Sequence, residues 1–157
     1  MSRACLIAVA LAIAGAALVA RQCWFTPEAR VERAVSQAVK AVERENLDGV
    51  LAFVDDSFSD AVGLDRAEWT RLLQDVWTKW KDIDIRLVQP TVVVNGREAT
   101  VHCHALIDAT AAATMGPGKT PDRQSGGREN LEMRLREIDG RWRLVGMGGA
   151  TPGEWAR

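Results

Sequence analysis

Between Thr91 and Asp108 the chain reads TVVVNGREATVHCHALID, two β-rich runs joined by Asn95-Gly96, the second in strict alternation. Asn-Gly is the dipeptide that most readily supplies the φ > 0 backbone of a tight hairpin turn. A strand has a two-residue period, so Ala99, Val101, Cys103, Ala105 and Ile107 share one face. Glu98, Thr100, His102, His104 and Asp108 take the other. The pattern predicts an antiparallel sheet with one buried wall. It also puts both histidines of the chain, His102 and His104, on the opposite wall.

A helical period precedes this sheet. Thr26-Pro27-Glu28 has the marks of a helix start: Thr as N-cap, Pro at the first helical position and an acid at the positive end of the dipole. Val31, Ala34, Val35, Ala38, Val39 and Val42 then form one apolar stripe. Asn46 to Gly49 ends that helix, and Asp48 is the expected cap of a short second one from Gly49 to about Val54. Asp65-Arg66-Ala67-Glu68 has the spacing of a capping box, with Leu64 and Trp69 placed for a hydrophobic staple. Trp69, Leu72, Leu73, Val76, Trp77 and Trp80 give the third stripe.

From Ile83 the period falls to two. Ile83, Ile85 and Leu87 alternate with charged residues until Pro90, which is expected to break the strand. Beyond the hairpin, residues 109–128 read as a long loop of small and polar residues. Leu131, Met133 and Leu135 alternate again, Asp139-Gly140 makes a second tight turn, and Trp142 and Leu144 continue the inward face. Residues 148–157 read as a loose tail.

Composition narrows the class. The chain has 157 residues and a net charge of −1, which gives no basis for nucleic-acid binding. Its three cysteines have neither metal-ligand nor redox spacing, and Cys103 reads as a small buried hydrophobe. Ala4 to Ala20 is an uncharged apolar run between Arg3 and Arg21, at the short limit for a spanning helix and long for a signal-peptide core. Residues 1–22 are therefore expected to be a membrane anchor or signal segment, touching the membrane through residues 4–20. The layout implies a single pass of a bacterial inner membrane with the C-terminal domain in the periplasm. Secretion after cleavage behind Ala16 or Ala20 is the alternative. Arg21, Arg30 and Arg33 against Arg3 run counter to that orientation, whereas the short N-terminal tail favours it. Trp24 suits an interfacial anchor.

Three N-terminal helices followed by a curved antiparallel sheet with two long hairpins resembles the nuclear transport factor 2-like superfamily, which includes the polyketide-cyclase (SnoaL-like) and ketosteroid-isomerase types. The resemblance is carried by ENLDGVLAFVDDSF at 45–58, the capped Asp65 helix, the NGREATVHCHAL strand and EIDGRWRLVGM at 137–147. It implies an α+β domain over residues 23–147. Its three helices would pack in the concave face of the sheet, a cone-shaped, cystatin-like roll, preceded here by one apolar helix. It also implies a pocket between helices and sheet.

Enzymes of the superfamily set an aspartate base into the concave face, or an aspartate with tyrosines that hold an oxyanion. With no tyrosine in the chain, the tyrosine-assisted arrangement is excluded. The alternating inward residues carry no proton-transfer group apart from an activated Cys103. Asp55 and Asp56 remain as catalytic candidates, since a carboxylate buried there would have a raised pKa. Two adjacent acids before Ser57 equally make a solvated turn.

His102 and His104 have the His-x-His spacing of a zinc site, but a third ligand would have to come from Asp108, Glu132 or Glu98. No metal and no cofactor are expected. Arg134, Arg136, Arg141 and Arg143 lie beside these histidines with Glu98 and Glu132, as a solvated ladder or as a docking face. His102, His104, Arg134 and Arg141 are the candidate partner surface, for a homodimer or another protein. Trp69, Trp77, Val101, Cys103, Met133 and Trp142 are either plain core or the lining of an apolar, aromatic cavity. Gly116-Pro117-Gly118-Lys119-Thr120 lacks the spacing of a phosphate loop.

The function expected from these residues is a non-catalytic, envelope-exposed binding domain for a small apolar ligand or a protein partner. The alternatives are an assembly component of a bacterial envelope or secretion complex, and a small-molecule isomerase, cyclase or dehydratase using Asp55 or Asp56.

Overall fold

The structure, a computed structural model, describes residues 26–118 and 120–149. The apolar run 4–20, Trp24 and the residues after Gly149 lie outside the described residues. Among the described residues no helix is long and apolar enough to cross a membrane.

Helix α1 (Pro27–Glu43) begins as its sequence requires, with the Thr26 hydroxyl accepting from the Ala29 amide at 3.2 Å. Its stripe buries Val31 and Val35 to 0% and 4% exposure. Helix α2 (Leu47–Phe53) starts earlier than expected. Glu45 takes a left-handed φ of 54° and reverses the chain, so Asn46 rather than Asp48 becomes the cap, accepting from the Gly49 amide at 3.1 Å. Helix α3 (Arg66–Lys79) carries the full capping box: Asp65 accepts from the Glu68 amide at 2.8 Å, and Glu68 from the Asp65 amide at 3.1 Å.

Five strands form one curved, open sheet in the order β1-β5-β4-β3-β2. They are β1 (Val54–Asp60), β2 (Trp80–Asn95), β3 (Glu98–Ala111), β4 (Arg123–Ile138) and β5 (Arg141–Gly148). Strand β1 pairs in parallel with β5, and the other pairs are antiparallel. No alternating pattern marks residues 54–60 as a strand, because their buried apolar residues, Val54 and Phe58, are four apart rather than two. A register shift between Val54 and Ser59 absorbs the mismatch.

Pro90 does not end its strand. The register shifts between Val88 and Thr91, with Gln89 at φ 51°, and that bulge takes the proline out of the ladder. A second shift between Lys81 and Asp84 bends the same strand nearer its start. The expected loop 109–128 is shorter, since Asp108 pairs with Ser125 and Thr110 with Arg123. It runs over 112–122 and opens with a 3-10 turn, Ala112–Thr114.

The two hairpin turns differ in kind. Asn95 pairs with Glu98, so the first turn is Gly96-Arg97, with positive φ at Gly96 (63°) and at neither neighbour, the glycine-first arrangement of a type II′ turn. The second has both Asp139 (50°) and Gly140 (73°) in the left-handed region, as type I′ demands.

The alternation in β3 is realised: Ala99, Val101, Cys103 and Ala105 are all at most 4% exposed. Leu131, Met133, Leu135, Trp142 and Leu144 extend that wall across β4 and β5. Val31, Val35, Val50, Leu73 and Trp77 close it from the helices. At the far end Arg30 of α1 pairs with Glu137 and donates to the Gly140 carbonyl at 3.1 Å, tying α1 to the β4–β5 hairpin.

Candidate functional site

A groove of about 260 Å³ lies beside the core, where α1 crosses the curled outer end of β2. Glu32, Val35, Ser36 and Val39 line it from the helix, Ile85, Leu87, Pro90 and Val92 from β2, and Val101 from β3. The helical four stand at i, i+3, i+4 and i+7, one face of an α-helix. The strand residues change parity midway, odd numbers before the bulge and even numbers after it. An added residue turns every later side chain to the opposite face. The Val88–Thr91 bulge therefore brings Pro90 and Val92 to the same side as Ile85 and Leu87.

The walls are chemically simple. Every sheet residue lining the groove is apolar, and the polar groups are Glu32 and Ser36 on the helical side. Neither was singled out by sequence. The available signal was their position: each follows a buried valine of α1, at the edge of the apolar stripe.

Of the six residues expected to line a cavity, Val101 borders this groove. Trp77, Cys103, Met133 and Trp142 are at most 7% exposed and belong to the close-packed core. Trp77 donates its indole N–H to the Val42 carbonyl at 3.0 Å, whereas that of Trp142 is buried without a partner. Trp69 is half-buried and packs on Phe58, with ring centroids 5.8 Å apart and planes tilted by 60°. Burial pushes the Cys103 thiol above its ordinary pKa, so it stays protonated and is no activated nucleophile.

Asp55 and Asp56 lie on the edge strand β1, and neither borders the groove. Asp55 accepts from the Ser57 amide at 3.0 Å and the Ser57 hydroxyl at 2.7 Å. These bonds hold its carboxyl below the ordinary carboxylate value, with Arg143 and Arg136 adding to the effect. The raised pKa expected for a buried base is thus replaced by the opposite shift. The Asp56 side chain is 88% exposed and pairs with Arg66.

His102 and His104 stand on the outer face of the sheet. Nδ1 of His102 is 3.9 Å from Glu132, and Nδ1 of His104 accepts from the Asn130 amide at 3.4 Å. Among the described residues no three His, Cys, Asp or Glu side chains converge as metal ligands would. Arg134 lies flat over Gly146, where a Cβ would stand 2.5 Å from its guanidinium, and Arg141 is exposed near the β4–β5 turn. Arg136 reaches Glu98 at 3.5 Å. Val93, 56% exposed, pairs with Thr100 next to Arg134, and Leu106, 42% exposed, lies farther along β3 opposite Arg86.

No family model matches the chain, and no curated protein sequence matches it. Solved structures do match in shape. A candidate dehydratase of the NTF2-like family from Streptomyces avermitilis superposes with a TM-score of 0.63 at 16% identity, over 78% of this chain and 95% of that one. The fold is nuclear transport factor 2-like. The hub of CaMKII from S. rosetta matches this NTF2-like domain with a TM-score of 0.62 at 17% identity, over 78% and 95% of the two chains. Bd1075 of Bdellovibrio bacteriovorus matches with a TM-score of 0.59 at 15% identity over 76% of this chain, which spans 40% of that longer protein. These superpositions show the NTF2-like fold, and at such identities they leave the activity to the site itself.

Proposed function

We infer that this domain binds a small apolar ligand in the groove between α1 and strands β2 and β3, without converting it chemically. The observation that carries the reading is the lining. Every sheet residue bordering the groove is apolar, and both aspartates considered as catalytic bases lie away from it on β1. At about 260 Å³ the groove lies just below the usual range of ligand pockets, which favours a small molecule. Tethering through residues 4–20, with the domain on the periplasmic side, completes the proposal, and release by signal cleavage is its alternative. The test is calorimetry with octan-1-ol on the wild-type chain and on Val39→Trp or Val92→Trp, which fill the groove. Binding that vanishes in both variants, with cooperative melting retained, supports the reading; binding unchanged in both contradicts it.

A second reading rests on the outer sheet face. Val93 is exposed there opposite Thr100, the residue paired with Arg134, and Leu106 is exposed farther along β3 opposite Arg86, on a face that also carries Arg136, Glu98 and Glu132 and can complement a second copy of itself. That the CaMKII hub shares this architecture supports an assembly role. Sedimentation that shows a dimer, lost in Leu106→Glu, fits this reading; a monomeric wild-type chain at high concentration does not.

A further inference from the structure

The polar groups of the groove are placed as a pair. Glu32 and Ser36 are four apart on α1, so they sit one turn above each other on the groove side of the helix, flanking Val35 and facing the apolar strand wall. Among the described residues neither the Glu32 carboxylate nor the Ser36 hydroxyl has a hydrogen-bond or ion-pair partner. No Lys, Arg or His lines the groove to neutralise the carboxylate. Both side chains are solvent-exposed at the rim of the groove, so a neutral ligand leaves the carboxylate to water, whereas an anionic ligand is repelled by it.

We propose that the groove is specific for an amphipathic cation: an aliphatic body of roughly ten non-hydrogen atoms, about what nine water volumes hold, carrying one ammonium group. The body lies against Leu87, Pro90, Val92 and Val101, and the ammonium donates to Glu32, with the Ser36 hydroxyl accepting a second of its hydrogens. Lys-type ammonium donors have three hydrogens and no acceptor capacity, which matches two oxygen acceptors at the rim and solvent for the third. A neutral alcohol of the same length fills the same walls and forfeits the charge-assisted bond. This inference rests on the groove being the ligand site, and the experiment separates the two ideas.

Octylammonium chloride, octan-1-ol and sodium octanoate are titrated calorimetrically into the full chain and into Glu32→Gln at low ionic strength. Glu32→Gln keeps the shape of the groove and serves as the reference for uptake elsewhere on the protein. The expected result is octylammonium binding tighter than octan-1-ol by about fivefold, the upper range for a solvent-accessible ion pair, with octanoate weakest. Added salt reduces that preference, and Glu32→Gln removes it while leaving octan-1-ol affinity unchanged. If wild type binds octylammonium and octan-1-ol equally, or if Glu32→Gln retains the preference, the cation specificity is overturned and the apolar groove stands. If none of the three binds, the groove reading falls and this inference with it.

Discussion

Asp55 shows how a residue type alone misleads about chemistry. In sequence it is one of two adjacent acids entering the fold; in the structure its carboxylate is tied to Ser57 by both the amide and the hydroxyl. Those donors favour the charged form and lower its pKa. A depressed folded-state pKa contributes stability that is fully present above the unfolded value, near 3.8, and lost as the pH falls through the lower folded value. Asp55→Asn is therefore expected to be less stable than wild type at neutral pH and indistinguishable from it in strong acid, as read by urea midpoints along a pH series. A gap that persisted in acid would mean the residue acts through packing instead. Asp108, held low by the Ser125 hydroxyl and by Arg86, titrates in the same direction and belongs to the same acid limb. Glu32 went unnoticed in the sequence for a related reason. An acid bordering an apolar helical stripe is the normal edge of an amphipathic helix, and only the strand that curls opposite it makes the position distinctive.

At the scale of elements, local signals that close within a few residues were legible, and those that depend on a partner strand were not. The α3 cap was readable because both halves of the box lie within four positions. Asp65→Ala should cost about 1 kcal/mol, measured as a lowered denaturation midpoint with an unchanged slope. The bulge at Gln89 was not readable as such, since Pro90 alone is a strand breaker and β3 is what carries the strand past it. Its trace was nevertheless present: inward residues are odd up to Leu87 and even from Val92 onward. Deleting Gln89 restores a single parity and turns either the first or the second half of β2 away from α1. The deletion is expected to abolish octan-1-ol binding and to lower the melting temperature, both visible by calorimetry. Strand β1 was missed because its pairing is parallel, long-range and interrupted, with Val54 and Phe58 the only buried apolar contacts it offers.

For the whole molecule, the α+β fold was legible because two periods, helical then alternating, occur in that order over the chain. The contents of the cone were not. Periodicity says that Trp77, Cys103, Met133 and Trp142 face inward, but whether such side chains meet or leave a void depends on their packing volume, which no period encodes. Here they meet, at 7% exposure or less, and the open space lies to one side, between α1 and the bent strand. On this reading the lateral groove, and not the tryptophan-lined interior, receives the ligand. Amide chemical-shift mapping of an octan-1-ol titration distinguishes the two directly. Binding in the groove gives the largest shifts at Val35, Val39, Leu87, Val92 and Val101; largest shifts at Trp77, Cys103, Met133 and Trp142 would place the ligand in the interior instead and rule the groove out.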